Sequence, residues 1–380
     1  MNRKLSDLSK LDTDEILAGL RTWVEMETPS FDGAALNRLM DHVEAEAREL
    51  GATITRSAGT NGFGDVVAAR MPWGGDGPGI LVLSHLDTVH DVGTLKTLPF
   101  RQDGDRIFGP GIYDMKGGAY LSLHACRLFQ RQGIETPLPI TLMFVPDEEI
   151  NNLFSRPVIE AEAKKSKYVL VAEPARDGGR IVTARVGVGT FNVHVKGRPA
   201  HAGVNHRNGR NAIKEMARQI LAIEEMTDYE RDITVCVGTI SGGTRSNVVP
   251  AECRVEVDLR IPDDAAGAEM CERFSALRPV DPDVELTVTG GLLRPAYEMD
   301  EGIAKMFAHA HALAADIGFE LEGMKTGGGS DGNFTAALGI PTLDGLGVDG
   351  DGAHTDHEHL NVSSIVPRGS LMVRLLETLE

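Results

Sequence analysis

Leu81-Val82-Leu83-Ser84-His85-Leu86-Asp87-Thr88-Val89 continues an apolar run that begins at Ile80 and ends in a His and an Asp two residues apart. A short apolar run of this kind reads as a buried strand. Side chains i and i+2 of an extended chain share a face, so His85 and Asp87 can converge on one point. By itself the pair fits two roles. It can cap a strand and its turn, or it can serve a metal, with the imidazole as ligand and the carboxylate fixing its tautomer.

The flanking sequence repeats the pattern. Helical periodicity over residues 13–26 and 33–50 precedes a strand at 65–69, a glycine-rich turn at 74–79 and the strand at 80–83. Residues 115–132 have helical spacing, and the apolar run 140–145 ends in Asp147-Glu148-Glu149. A helix near 157–163 gives way to the run 168–172, which ends at Glu173. Strands alternating with helices predict an α/β fold with a mostly parallel sheet flanked by helices. Ligands of such sheets bind at the carboxyl ends of the strands.

After Glu173-Pro174 the texture changes. Residues 181–196 alternate as one strand, 209–226 are helical, further strands are expected at 234–240, 253–260 and 284–289, and a helix at 265–276. Strands arranged around two helices predict a small inserted α+β domain with an antiparallel, ferredoxin-like sheet. Helical patterns return at 302–317 and from 364 onward. The expected organisation is a larger domain, residues 1–180 and 294–380, interrupted by a smaller one, residues 181–293.

Composition sets limits. The 380 residues are 42% hydrophobic and 25% charged, as in a soluble globular chain. A formal charge of −18 disfavours a nucleic-acid partner, which needs a basic patch. Lys4 and its neighbours show no apolar leader, and no run reaches the length of a membrane span, so a cytoplasmic protein without a membrane partner is expected. The four cysteines, at 126, 236, 253 and 271, are far apart and read as reduced, buried thiols.

His85, Asp114, Glu148, Glu149 and Glu173 fall at strand ends or in the following loops, and His354 comes much later. Two His and three carboxylates suit two divalent ions sharing a bridging carboxylate. Zn²⁺ fits best, with Co²⁺ or Mn²⁺ as substitutes. The adjacent Glu148 and Glu149 repel unless a cation or proton separates them, which divides them between metal binding and proton transfer.

Four strings resemble the zinc-dependent exopeptidase and deacylase family, which includes glutamate carboxypeptidase, acetylornithine deacetylase, succinyl-diaminopimelate desuccinylase and the aminoacylases. They are Ser84-His85-Leu86-Asp87-Thr88-Val89, the segment from Gly109 to Gly118 around Asp114, Asp147-Glu148-Glu149, and Gly352-Ala353-His354-Thr355. The resemblance implies a di-zinc hydrolase with His85, Asp114, Glu149, Glu173 and His354 as ligands, Asp114 bridging. It further implies Glu148 as general base, Asp87 as the group orienting His85, residues 1–180 and 294–380 as the catalytic domain, and residues 181–293 as a dimerisation or lid domain.

His201, in Gly197-Arg198-Pro199-Ala200-His201-Ala202-Gly203, resembles a family residue that reaches the partner's active site across a homodimer, and Asn247 is similarly placed. Arg294 is suited to a substrate carboxylate, with a hinge role as the alternative. Gly327-Gly328-Gly329-Ser330-Asp331 resembles the glutamate carboxypeptidase branch, which implies that Gly328, Gly329 and Ser330 anchor substrate. As bare sequence the same string is a turn with a helix cap. His357 and His359 read as loop residues. One departure is Ile150-Asn151-Asn152, where the family places small residues.

The reading is a hydrolase that cleaves an N-acyl amino acid or short peptide and releases a C-terminal, glutamate-like residue. An N-acyl-amino-acid deacylase is the alternative within enzymes. A catalytically silent binding protein on the same fold is the alternative outside them.

Overall fold

In a computed structural model describing residues 4–380, the chain divides into two compact units. The first comprises the chain up to Ala184, Glu298–Lys325 and Ser330–Glu380; the second comprises Arg185–Tyr297 and Thr326–Gly329.

The first unit is built on a six-stranded sheet in the order Thr53–Ser57, Val66–Arg70, Ile140–Val145, Gly79–His85, Ser166–Val171, Thr342–Leu343. The first two strands pair antiparallel, as do Val66–Arg70 and Ile140–Val145. The remaining pairs are parallel. Every residue of Gly79–His85 and Ile140–Val145 is buried, the burial expected of strands covered on both faces. Register decides where the site forms. His85 lies opposite Val145, and Leu83 opposite Val171, so Asp87, Glu148 and Glu173 leave the sheet at one end.

Helices cover the sheet. Thr13–Glu25 and Gly33–Glu49 start on Asp12 and Asp32, whose carboxylates accept the peptide N–H groups of the first turn. Gly117–Gln132 is buried along most of its length. A Cβ at Gly118 would collide with the Ala172 carbonyl, so glycine permits the helix start to lie against the strand end that carries Glu173.

A second small sheet runs Gly350–Asp351, His359–Asn361, Arg106–Phe108, Arg101–Asp103. Its strands of two or three residues are too short to leave a periodic signal in the sequence. The helical reading of 115–132 begins two residues early. Asp114 and Met115 have non-helical backbone angles, and the regular helix starts at Gly117.

In the second unit an antiparallel sheet runs Thr234–Gly242, Glu252–Ile261, Gly187–Lys196, Glu285–Arg294. With the helices Ala212–Glu224 and Asp264–Ser275 the chain order is strand, helix, strand, strand, helix, strand, the ferredoxin-like arrangement. Alternate residues of Glu252–Ile261 face a core of Val193, Val195, Val255, Val257, Leu259, Met216 and Ile223, with Phe191 stacked on Phe274 at 3.9 Å. The stretch read as one strand, 181–196, is two. Ile181–Arg185 ends before Gly187–Lys196 begins, where the chain passes from one unit to the other.

Candidate metal centre

Asp114 is the hub of the acidic cluster. Its Oδ1 lies 3.2 Å from His85 Nε2, and its Oδ2 lies 3.6 Å from His354 Nε2. Glu173 joins the first side, with Oε1 3.7 Å from His85 Nε2, and Glu149 the second, with Oε2 2.9 Å from His354 Nε2. One carboxylate thus stands between two imidazole–carboxylate pairs. Potential ligand atoms of His85, Asp114 and Glu149 lie within 4.8 Å of one another, and so do those of His85, Glu148 and Glu173.

Asp87 is buried behind this cluster. Its main-chain carbonyl, 2.9 Å from His85 Nδ1, is closer to the ring than its carboxylate at 3.5 Å. The carboxylate instead accepts the peptide N–H groups of Glu148 and Glu149, both at 3.1 Å, and the Ser30 hydroxyl at 2.7 Å. It therefore fixes the backbone that carries both glutamates. Asp147, fully buried, accepts from the N–H groups of Phe154 and Ser155 and builds the loop that follows. His354 occupies a left-handed backbone position, φ 64°, on a half-exposed hairpin turn.

Crowding sets the protonation pattern. Burial lifts the Glu149 carboxyl to about 8 against the opposing His354 hydrogen bond, and Asp114 adds to the rise. Burial, reinforced by the Asp114 charge, also pushes Glu173 well above the carboxylate range. Asp114 resists its own burial through the hydrogen bond and charge of His85 and is held down at about 2. The Glu149 hydrogen bond raises His354 to about 9 despite burial. His85 is also raised, because Asp114 and Asp87 outweigh its burial. With protons alone, acids must be neutralised and imidazoles charged for the cluster to persist. Divalent cations satisfy the same donor set without protons, so the residues fit a metal pair.

Of the other sequence-derived candidates, His201, Asn247, Arg294, Gly328 and Gly329 belong to the second unit and Ser330 to the first. In the second unit, His201 is exposed and its Nδ1 accepts from the N–H groups of Gly203 and Val204, while the Asn247 carbonyl accepts from Ala202 N–H at 2.9 Å. These two loops are neighbours. Arg294 is 2% exposed and packs so closely on Gly329 that a Cβ there would sit 2.7 Å from its Cδ. The carbonyls of Gly328 and Gly329 accept from the buried Arg185 guanidinium. In the first unit, Ser330 is fully buried, its hydroxyl donating to Asp344, and the N–H groups of Ser330 and Gly332 are taken by Asn333 Oδ1 and Ser330 Oγ. His357 is exposed, whereas His359, expected as a loop residue, begins the strand His359–Asn361, its ring tilted 38° against Phe108 with centroids 5.2 Å apart.

Ser30, His90 and Glu358 were not singled out from the sequence. Ser30 sits far from Asp87 in the chain, and Glu358 is hidden among the acids and imidazoles that follow His354.

Residues 81–378 match the model of peptidase family M20/M25/M40. The chain is 33% identical over 376 residues to carboxypeptidase G2 of Pseudomonas sp. (strain RS-16), a match covering 96% of this chain and 90% of that protein. Its fold resembles the M20 family metallo-carboxypeptidase Sso-CP2 of Sulfolobus solfataricus, at TM-score 0.76 and 17% identity over 96% of this chain and 99% of that one. It also resembles the YXEP protein of Bacillus subtilis, described as a dinuclear metal binding peptidase from the M20 family, at TM-score 0.67 and 17% identity over 97% and 99%. Among the described residues no helix is long and apolar enough to cross a membrane. The family match and the relative of nearly equal length establish that the chain belongs to peptidase family M20/M25/M40.

Proposed function

We propose that this peptidase is a di-zinc carboxypeptidase that hydrolyses the amide bond of an N-acyl amino acid or short peptide and releases a glutamate-like C-terminal residue. The observation that carries the metal reading is the division of the Asp114 carboxylate between His85 and His354. The carboxypeptidase reading rests on the similarity to carboxypeptidase G2.

His85, Asp114, Glu149, Glu173 and His354 would hold the two ions, with Co²⁺ or Mn²⁺ able to replace Zn²⁺. When bound, the ions would polarise the scissile carbonyl and acidify the attacking water. Glu148 takes the water's proton and returns it to the leaving amine. Asp87 holds the Glu148 and Glu149 backbone so that one carboxylate is kept for the proton and the other for metal. Arg294, Gly328, Gly329 and Ser330 shape the substrate end of the site, and the packing of Arg294 on Gly329 supports a joint role.

His201 and Asn247 act on the partner's site in a homodimer. Support comes from their neighbouring loops and from the edge strand Thr234–Gly242, whose Ile240 is 59% exposed. A cytoplasmic location belongs to the same proposal, supported by four free thiols, of which Cys126 and Cys253 are buried as expected while Cys271 is half-buried and Cys236 is exposed.

The test is amine release from a panel of N-acyl amino acids and dipeptides in the presence of Zn²⁺. Preferred cleavage before a C-terminal glutamate or aspartate supports the proposal. Preference set by the acyl group, with indifference to the C-terminal residue, identifies a deacylase. Inactivity of the zinc-loaded protein across the panel contradicts both.

A further inference from the structure

The Glu358 side chain is 1% exposed and is not itself one of the five candidate ligands, yet its carboxylate gathers four polar partners. Oε1 accepts the peptide N–H groups of Tyr113 at 2.9 Å and Asp114 at 3.0 Å. Oε2 accepts the N–H of Gly111 at 2.8 Å and lies 2.8 Å from His90 Nε2. A carboxylate offers about four lone-pair sites, so these partners use its full capacity. The small sheet brings the groups together. His359 pairs with Phe108, which sets Glu358 beside the segment that begins at Gly109.

Three segments of the metal centre meet on this one side chain. Glu358 sits four residues after His354 on the returning arm of its hairpin. His90 follows the strand that ends in His85. The peptide N–H groups belong to the loop that ends in Asp114, where Gly111 supplies a left-handed turn, φ 71°. The loop is irregular through Asp114, so repeating helical hydrogen bonds do not fix its direction. Beside the main-chain bonds of its ends, it is held by the Glu358 carboxylate, which peptide N–H groups bind more strongly than they bind a neutral acceptor.

We propose that Glu358 is a positioning residue of the metal centre. By holding the Asp114 N–H, and the His85 and His354 segments through His90 and its own hairpin, it sets the Asp114 carboxylate to face both imidazoles. The proposal rests on the metal-centre reading above. A residue that merely stabilised the loop would alter melting temperature and leave ion binding unchanged. A residue that aims the bridging carboxylate alters the affinity and ligand field of the ions.

The test is Co²⁺ titration of metal-free wild-type, Glu358→Gln and Glu358→Asp proteins, followed by visible absorption, with folding checked by circular dichroism. Gln turns an amide toward peptide donors, so the more weakly held ion should lose affinity by about 10- to 100-fold, as outer-shell substitutions commonly do, with altered absorption bands. Asp keeps the charge on a shorter stem and should recover part of both. Folded Glu358→Gln protein with wild-type affinities and spectrum overturns the proposal. If the Gln variant does not fold, Glu358→Asp decides: weakened binding supports the proposal, and wild-type binding overturns it. Wild-type protein that takes up no Co²⁺ defeats the metal-centre reading and the proposal together, whereas normal wild-type uptake with unaffected variants defeats the role of Glu358 alone.

Discussion

Exchanging Glu148 for Gln should leave ion uptake near the wild-type level and lower kcat by a factor on the order of 10² to 10⁴, because only the proton carrier is lost. Metal analysis beside steady-state kinetics checks this. Loss of an ion from Glu148→Gln would exchange the roles of Glu148 and Glu149, an outcome made concrete by the proximity of Glu148 to His85 and Glu173. The adjacency of the two glutamates is legible in the sequence, and so is their place after a buried strand. The function of Asp87 as their backbone anchor is not. Its partners are two peptide N–H groups and a serine 57 residues away, and such contacts leave no spacing signal.

The helix Gly117–Gln132 forms part of the first unit's core, and its His124 is 1% exposed with Nδ1 lacking a hydrogen-bond partner. Burial depresses its pKa from 6.5 to about 4. The folded state then keeps His124 neutral while the unfolded chain takes up a proton, so stability is full above the unfolded value and falls as the pH drops toward the folded one. Between about pH 7 and pH 4 this group alone should cost up to ~3 kcal/mol, which His124→Leu should remove. Urea unfolding of both proteins across that window measures the difference. Equal slopes would place the imidazole in contact with water. The elements legible beforehand are those with a strong apolar period, such as Ile140–Val145 and Gly117–Gln132. Thr53–Ser57 is an edge strand of exposed and half-buried residues in which only Ile54 is apolar, and the strands around His354 span two or three residues. Neither kind carries a pattern, although the latter hold His354 and Glu358 in place.

For the whole molecule, the homodimer proposal predicts complementation. Glu148→Gln and His201→Ala subunits, co-expressed as a mixed dimer, should show activity above either parent, because one site pairs an intact Glu148 with an intact His201. A confirmed mixed dimer without that gain would remove the trans role of His201. Order along the chain made the two-part organisation readable, since alternating strands and helices give way to an antiparallel unit and then return. The boundaries depend instead on packing, and the second unit runs from Arg185 to Tyr297 and includes Thr326–Gly329. The central claim is that hydrolysis depends on ions held by His85, Asp114, Glu149, Glu173 and His354. Its most direct test is to strip the protein with a chelator and follow amine release as Zn²⁺ is returned. Activity should be absent at first and should saturate at about two ions per chain, with Asp114→Asn failing to recover. Undiminished turnover by the stripped protein would contradict the account.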